Sequence, residues 1–166
     1  MSKILTVIDV QKYFINDLTK DLPGNIKKFL DDHNDFDYII FTQFVNNEKN
    51  NFVILMDWHY MSKSPEIDIA DELLPFITKD NLYVKNGYSM FKEDKILRFL
   101  ENNKIDNITF CGMNTEQCIL INAMSAFDYG YRPIVISNLC RSSKSEIQHM
   151  LAIENLKDMI GEDQVI

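Results

Sequence analysis

The sequence predicts an α/β domain, doubly wound and Rossmann-like, with a mostly parallel six-stranded sheet flanked by helices on both faces. Three observations predict it. Short β-branched apolar runs alternate with stretches whose apolar residues recur at helical spacing. The runs are apolar throughout, as strands covered on both faces require. Finally, 166 residues with only 5 Gly and 4 Pro suit a single domain, residues 1–166, and leave little for linkers.

The elements follow in order. "KILTVIDV" is a strand, "GNIKKFLDDH" a helix with Ile26, Phe29 and Leu30 on one face, and "DYIIFTQF" a second strand, which completes a βαβ unit. The same alternation returns with "NLYVK" (strand), "EDKILRFLENNK" (helix), "NITFCG" (strand), "TEQCILINAMSAFDYG" (helix), "RPIVIS" (strand) and "SEIQHMLAIENLKDMIG" (helix), before a short "DQVI". Thr115 reads as an N-cap, and Gly130 and Gly161 stand where left-handed C-terminal caps belong. Residues 45–65 break the pattern, with a polar "NNEKNN" followed by the apolar "FVILMDWHYM". A loop of that length lids a site or makes an interface.

With 25 acidic against 17 basic side chains the formal charge is −8, which argues against nucleic acid or an anionic membrane as partner and favours a small molecule. The apolar run after Lys3 is too short for a signal peptide, and none approaches the ~18 residues of a membrane span, so a cytoplasmic location is expected. Three cysteines, an odd number without CxxC spacing, argue against a disulfide framework or zinc knot. Cys111 lies mid-strand and reads as core. Cys140 reads as a loop residue without a partner. The apolar lid and 8 Met make a homo-oligomer, dimer or larger, the expected assembly, although a pocket wall has the same composition.

In an open parallel sheet, ligands bind beyond the carboxyl ends of the strands. Asp9 ends the first strand, Lys85 ends "NLYVK", and Cys118 follows "NITFCG" on the first turn of the next helix. A thiol at a helix N-terminus beside a lysine is expected to have a lowered pKa and to react at mildly acidic pH. A neighbouring carboxylate can take the thiol proton, hand it to a leaving amine and then activate water. Taken singly, each residue also has a bland reading: a core thiol, a surface lysine, a turn carboxylate.

These segments resemble the isochorismatase-like cysteine hydrolases, a family that includes nicotinamidases and N-carbamoylsarcosine amidohydrolase. "VIDVQKYF" is similar to the family's "DxQxxF", "VKNGYSMF" to its "KxxYSxF" and "CGMNTEQCI" to its "GxxTxxC". The resemblance implies a catalytic triad of Asp9, Lys85 and Cys118, a cis peptide between Met113 and Asn114, and an oxyanion hole from the N–H groups of Asn114 and Cys118. It implies cleavage of a C–N bond in a small amide, carbamoyl or ureido substrate through an acyl-cysteine. By position in or near the matching segments, Gln11, Phe14, Phe44, Trp58, Tyr88 and Phe91 are candidate substrate-binding residues, although core packing accounts for each aromatic equally well. The nicotinamidase branch holds a metal through a "DxH" directly after the second strand. Here that strand continues "TQFVNNEKNN" and the only "DWH", Asp57 to His59, comes later, so neither metal nor cofactor is expected. Two other functions remain open: a metal-dependent nicotinamidase, and a non-catalytic binding or assembly module of the same fold.

Overall fold

A computed structural model describes residues 2–33 and 35–166. Five parallel strands, β1 (Ser2–Ile8), β2 (Tyr38–Phe44), β3 (Leu82–Lys85), β4 (Ile105–Met113) and β5 (Arg132–Arg141), form one sheet in the order β3-β2-β1-β4-β5. The expected sixth strand is absent among the described residues. Residues Glu162–Gln164 coil into a 3-10 turn, which leaves the last two residues to make a single parallel bridge, Val165 with Val135.

Side-chain alternation along the strands divides the core in two. Ile4 and Ile8 of β1, with Ile108 and Phe110 of β4, face helices α3 (Asp94–Asn102), α4 (Leu120–Asp128) and α5 (Glu146–Ile160) through Ile96, Leu100, Ala123, Ala126 and Leu156. Leu5 and Val7 face the other way, onto Leu22, Ile26 and Leu30 of α1 (Leu22–Asp32) and onto Ile69 and Leu73. Both faces are therefore covered, and the strands read as continuous apolar runs for that reason.

The sheet order reverses between β1 and β4, the position at which an open α/β sheet presents its crevice. Gly112 closes this gap tightly, because at its φ of +119° a β-carbon would collide with the Ile8 carbonyl oxygen. The last strand runs four residues past the expected "RPIVIS", so Cys140 is a buried strand residue, paired with Gly112 across a register shift. In residues 45–65 the only helix among the described residues is the single turn α2 (Asn51–Ile54). Buried Asn46 holds the rest, its amide donating to the carbonyls of Trp58 (2.9 Å) and Tyr60 (3.1 Å). No helix among the described residues is long and apolar enough to cross a membrane.

Candidate active site

Asp9 leaves β1 with φ +48°, a left-handed conformation that aspartate tolerates better than most residues, and its side chain is fully buried. Thr42, on the neighbouring β2, fixes it: the hydroxyl donates to Oδ1 (2.7 Å) and accepts the Asp9 N–H (3.2 Å). Lys85 comes from β3, two strands away, and its stem spans β2 to place Nζ 2.6 Å from Asp9 Oδ2, with neither side chain exposed. The ammonium also donates to the Gly87 carbonyl (2.8 Å) and lies 3.7 Å from Cys118 Sγ. Thus the three strand-end residues meet at one place. Asp9 Oδ2 meets Lys85 as an ion partner without hydrogen-bond geometry, which leaves lone pairs on that oxygen for a proton.

The turn carrying Cys118 is not the α-helical one expected. Thr115–Ile119 is wound as a π-turn, with the N–H groups of Gln117 and Ile119 both donating to the Asn114 carbonyl (3.1 and 3.2 Å). Thr115 is not the N-cap, because its hydroxyl pairs instead with Nδ1 of buried His149 on α5 (2.8 Å). Asn114 precedes the turn in extended conformation after a cis Met113–Asn114 peptide, and its Oδ1 accepts the Ser143 N–H (2.7 Å). Gly130 and Gly161 have φ of +83° and +101° after α4 and α5.

The thiol's protonation also departs from expectation. Burial pushes the Cys118 thiol up to about 12. The Lys85 charge pulls it down without prevailing, and Asp9 raises it further by its charge. A helix terminus acts on an exposed thiol through about half a charge, whereas here removal from water outweighs it. For Lys85, burial favours the neutral amine, but Asp9 and then Cys118 outweigh it and the ammonium is held above 10.5. Burial also raises Tyr88. The resting thiol is therefore neutral beside the Lys85 ammonium.

Two outcomes follow for Lys85. A cation raised in the folded state contributes stability that is complete below its unfolded value and declines only as pH rises through the folded one, so the pair holds across the neutral range. Replacing it, Lys85→Met, strands a buried carboxylate and is expected to cost about 3–5 kcal/mol, read by urea unfolding, so the substitution is not innocuous to the fold. Iodoacetamide alkylation of wild-type Cys118 should climb through the alkaline range without levelling off near neutrality, and in Lys85→Met the whole profile should move to higher pH. An unmoved profile would mean that the ammonium does not act on the thiol.

Above the triad opens a cavity of about 440 Å3. One wall is aromatic: Tyr13, Phe14, Phe44, Phe52, Trp58 and Tyr88, with ring centroids 4.8 Å apart for Phe52–Tyr88 and 5.1 Å for Phe44–Phe52. The other wall is polar, with Asn16, Asn114, Gln117, Ser143 and Lys144. Two expected wall residues lie elsewhere. Gln11 is buried as a brace, its amide donating to the Phe44 (2.9 Å) and Ile67 (2.8 Å) carbonyls and its Oε1 accepting the Phe44 N–H (2.8 Å). Phe91 turns into the core against the rings of Tyr129 and Tyr131. Thr42, Tyr13, Asn16, Phe52, Gln117, Ser143 and Lys144 went unseen in the sequence; only the apolar "FVILM" signalled Phe52.

The residues present do not fit a nicotinamidase-type metal. His59 Nε2 bonds Asp57 Oδ1 (2.9 Å) with both side chains more than half exposed, and no three His, Cys, Asp or Glu side chains among the described residues are grouped to hold an ion.

The sheet order and the strand-end crevice define an α/β protein of the doubly wound class. The family model of the Isochorismatase domain matches residues 3–163, and the chain belongs to that family. It is similar to Isochorismatase domain-containing protein 2 of Xenopus laevis, 25% identical over 107 residues, a match spanning 63% of this chain and 48% of that protein. Among solved structures it resembles an isochorismatase-like hydrolase from Alkaliphilus metalliredigens (TM-score 0.83, 18% identity, 99% of this chain and 94% of that one). It also resembles a nicotinamidase from Bacillus subtilis (0.81, 21%, 99% of each) and an N-carbamoylsarcosine amidase from Thermoplasma acidophilum (0.76, 18%, 94% and 93%).

Proposed function

We propose that the protein is a cysteine amidohydrolase that cleaves the C–N bond of a small amide, carbamoyl or ureido substrate. The observation that carries this reading is the meeting of Asp9, Lys85 and Cys118 at the floor of the aromatic-walled cavity. On substrate binding, Asp9 takes the thiol proton while Sγ attacks the carbonyl carbon, forming a C–S bond and an oxyanion. The N–H groups of Asn114 and Cys118 hold that oxyanion, and each such donor is typically worth about 3 kcal/mol in the transition state. Lys85 balances the charge left on sulfur. Protonated Asp9 then gives its proton to the departing nitrogen as the C–N bond breaks, leaving a thioester. Water, deprotonated by Asp9, releases the acid and restores the thiol.

A neutral resting thiol fits this scheme, since the proton needed by the leaving amine is stored in the site until substrate arrives. The test is ammonia or amine release from a panel of primary amides, carbamoyl amines and ureido acids.

The polar wall adds a preference. Lys85 is neutralised by Asp9, and among the described residues Lys144 is the one cation lining the cavity, in a chain of charge −8. Its loop is fastened to the nucleophile turn: Ser142 Oγ donates to Glu116 (3.0 Å) and accepts the Lys144 N–H (3.1 Å). Among amides of equal size, those bearing a carboxylate should be turned over with a KM several-fold lower than neutral ones. Lys144→Gln should erase the difference at little change in kcat, by steady-state kinetics at low and high salt. An equal KM for both classes in wild type would remove Lys144 from recognition.

A further inference from the structure

Asn122 lies on α4, one turn after Cys118, and is wholly buried. A buried amide must satisfy its donors and its acceptor, and this one does so across two elements at once. Its Nδ2 donates to the Cys118 carbonyl (2.7 Å) and to the Tyr88 carbonyl (3.1 Å), and its Oδ1 accepts the Met90 N–H (2.8 Å). The segment it grips begins at Lys85, includes the Gly87 carbonyl that holds the Lys85 ammonium, and continues through Tyr88 on the cavity wall. Asn122 itself does not line the cavity.

From this geometry we infer that Asn122 is a positioning residue, the clamp that sets the Cys118 turn against the Lys85–Tyr88 segment. An α-helix of nine residues fixes its own axis but not its distance from a neighbouring loop. A π-wound first turn, with carbonyls bonded at mixed spacing, is a looser support than a regular one. Apolar packing of Ala123 and Ala126 gives no directional register. Three directed hydrogen bonds from one rigid amide do. The contact between Sγ and Nζ, 3.7 Å, is therefore a consequence of two backbones being held by Asn122 as well as of the two side chains themselves.

The inference rests on reading Cys118 and Lys85 as a working pair, and its test separates the two. Asn122→Leu keeps the side chain's approximate shape and removes all three bonds. Asn122→Thr leaves a hydroxyl able to bond back to the carbonyl four residues earlier, that of Cys118, but is too short for Tyr88 and Met90. Iodoacetamide alkylation of each variant is followed against pH, with the labelled cysteine mapped by peptide mass spectrometry and the fold followed by thermal unfolding. Both variants are expected to move the Cys118 profile upward by half a pH unit or more, because the thiol drifts from the ammonium. With any amide that wild type hydrolyses, both should lose kcat by ten- to a hundredfold with KM changed less than threefold. If Asn122→Leu does not fold, Asn122→Thr alone decides. A wild-type profile and wild-type kcat in either folded variant, with only the melting temperature lowered, would overturn the proposal and leave Asn122 a structural residue. The alkylation arm needs no substrate, so failure to find an amide substrate counts against the hydrolase reading and not against the clamp.

Discussion

Cys118→Ala is expected to remove turnover of any amide that the wild-type protein hydrolyses, by about a thousandfold or more, while the protein still folds. The magnitude follows from the route. With no sulfur there is no thioester, and the remaining oxyanion donors and Asp9 can only assist direct attack by water on an amide. The fold is spared because the lost group is one sulfur atom at the floor of an open cavity, where water can fill the space, and because Lys85 retains its partners Asp9 and Gly87. Urea unfolding within about 1 kcal/mol of wild type, together with ammonia release at background, would be the expected pair of results. Mass spectrometry of wild type quenched during turnover should find the acyl adduct on Cys118 and none on Cys111 or Cys140, which are fully buried away from the cavity. Wild-type turnover in Cys118→Ala would remove the nucleophile and the mechanism with it.

The triad was legible because strand ends are marked in a parallel α/β sequence. A run of β-branched residues stops, and the polar residue that stops it stands at the crevice, as Asp9 and Lys85 do. Thr42 was not legible, since a threonine inside "YIIFTQF" is an ordinary strand residue until the register places it beside Asp9. Gln11 and Phe91 show the converse. They sit within the same short motifs as Asp9 and Lys85, but closeness in sequence does not fix the direction of a side chain. Gln11 turns to brace β2 and Phe91 turns to the core. The π-winding was hidden because "TEQC" satisfies the pattern of an α-helical cap, and only the position of His149, thirty-four residues on, shows that the Thr115 hydroxyl is already engaged.

The thiol illustrates a different limit, one of magnitude. Each influence on Cys118 could be named from the sequence: a helix start, a lysine, a carboxylate. Their signs compete, however, and the deciding one, burial, depends on how the walls close around the site. Cys118 lines the cavity but is itself buried together with Asp9 and Lys85, and that removal from bulk water is what raises it. The same burial strengthens the Asp9–Lys85 attraction, so the site that makes the thiol a poor free nucleophile also fixes the carboxylate in place.

Asp9→Asn should separate these effects by moving thiol reactivity and turnover in opposite directions. Asparagine keeps an oxygen able to accept the Thr42 hydroxyl, but it cannot take a proton, and it presents an amide or an uncharged oxygen to the Lys85 ammonium where a carboxylate stood at 2.6 Å. Loss of the negative charge removes an influence that raises the thiol, while Lys85 still lowers it. The alkylation profile of Cys118 should therefore shift to lower pH and labelling at pH 8 should become faster than in wild type. Hydrolysis should nonetheless fall by about 100-fold or more, since the base is lost from thioester formation and from water attack alike. Breaking the buried pair should also cost about 3–5 kcal/mol by urea unfolding. Combined with Cys118→Ala the loss of turnover should be hardly greater than for the cysteine alone, because residues that serve one reaction path do not multiply their effects. Faster labelling with slower turnover is the signature of a base that works by moving a proton. If both fell together, Asp9 would be holding the thiol in place, and if neither changed, the proton would be travelling by a route that does not pass through Asp9.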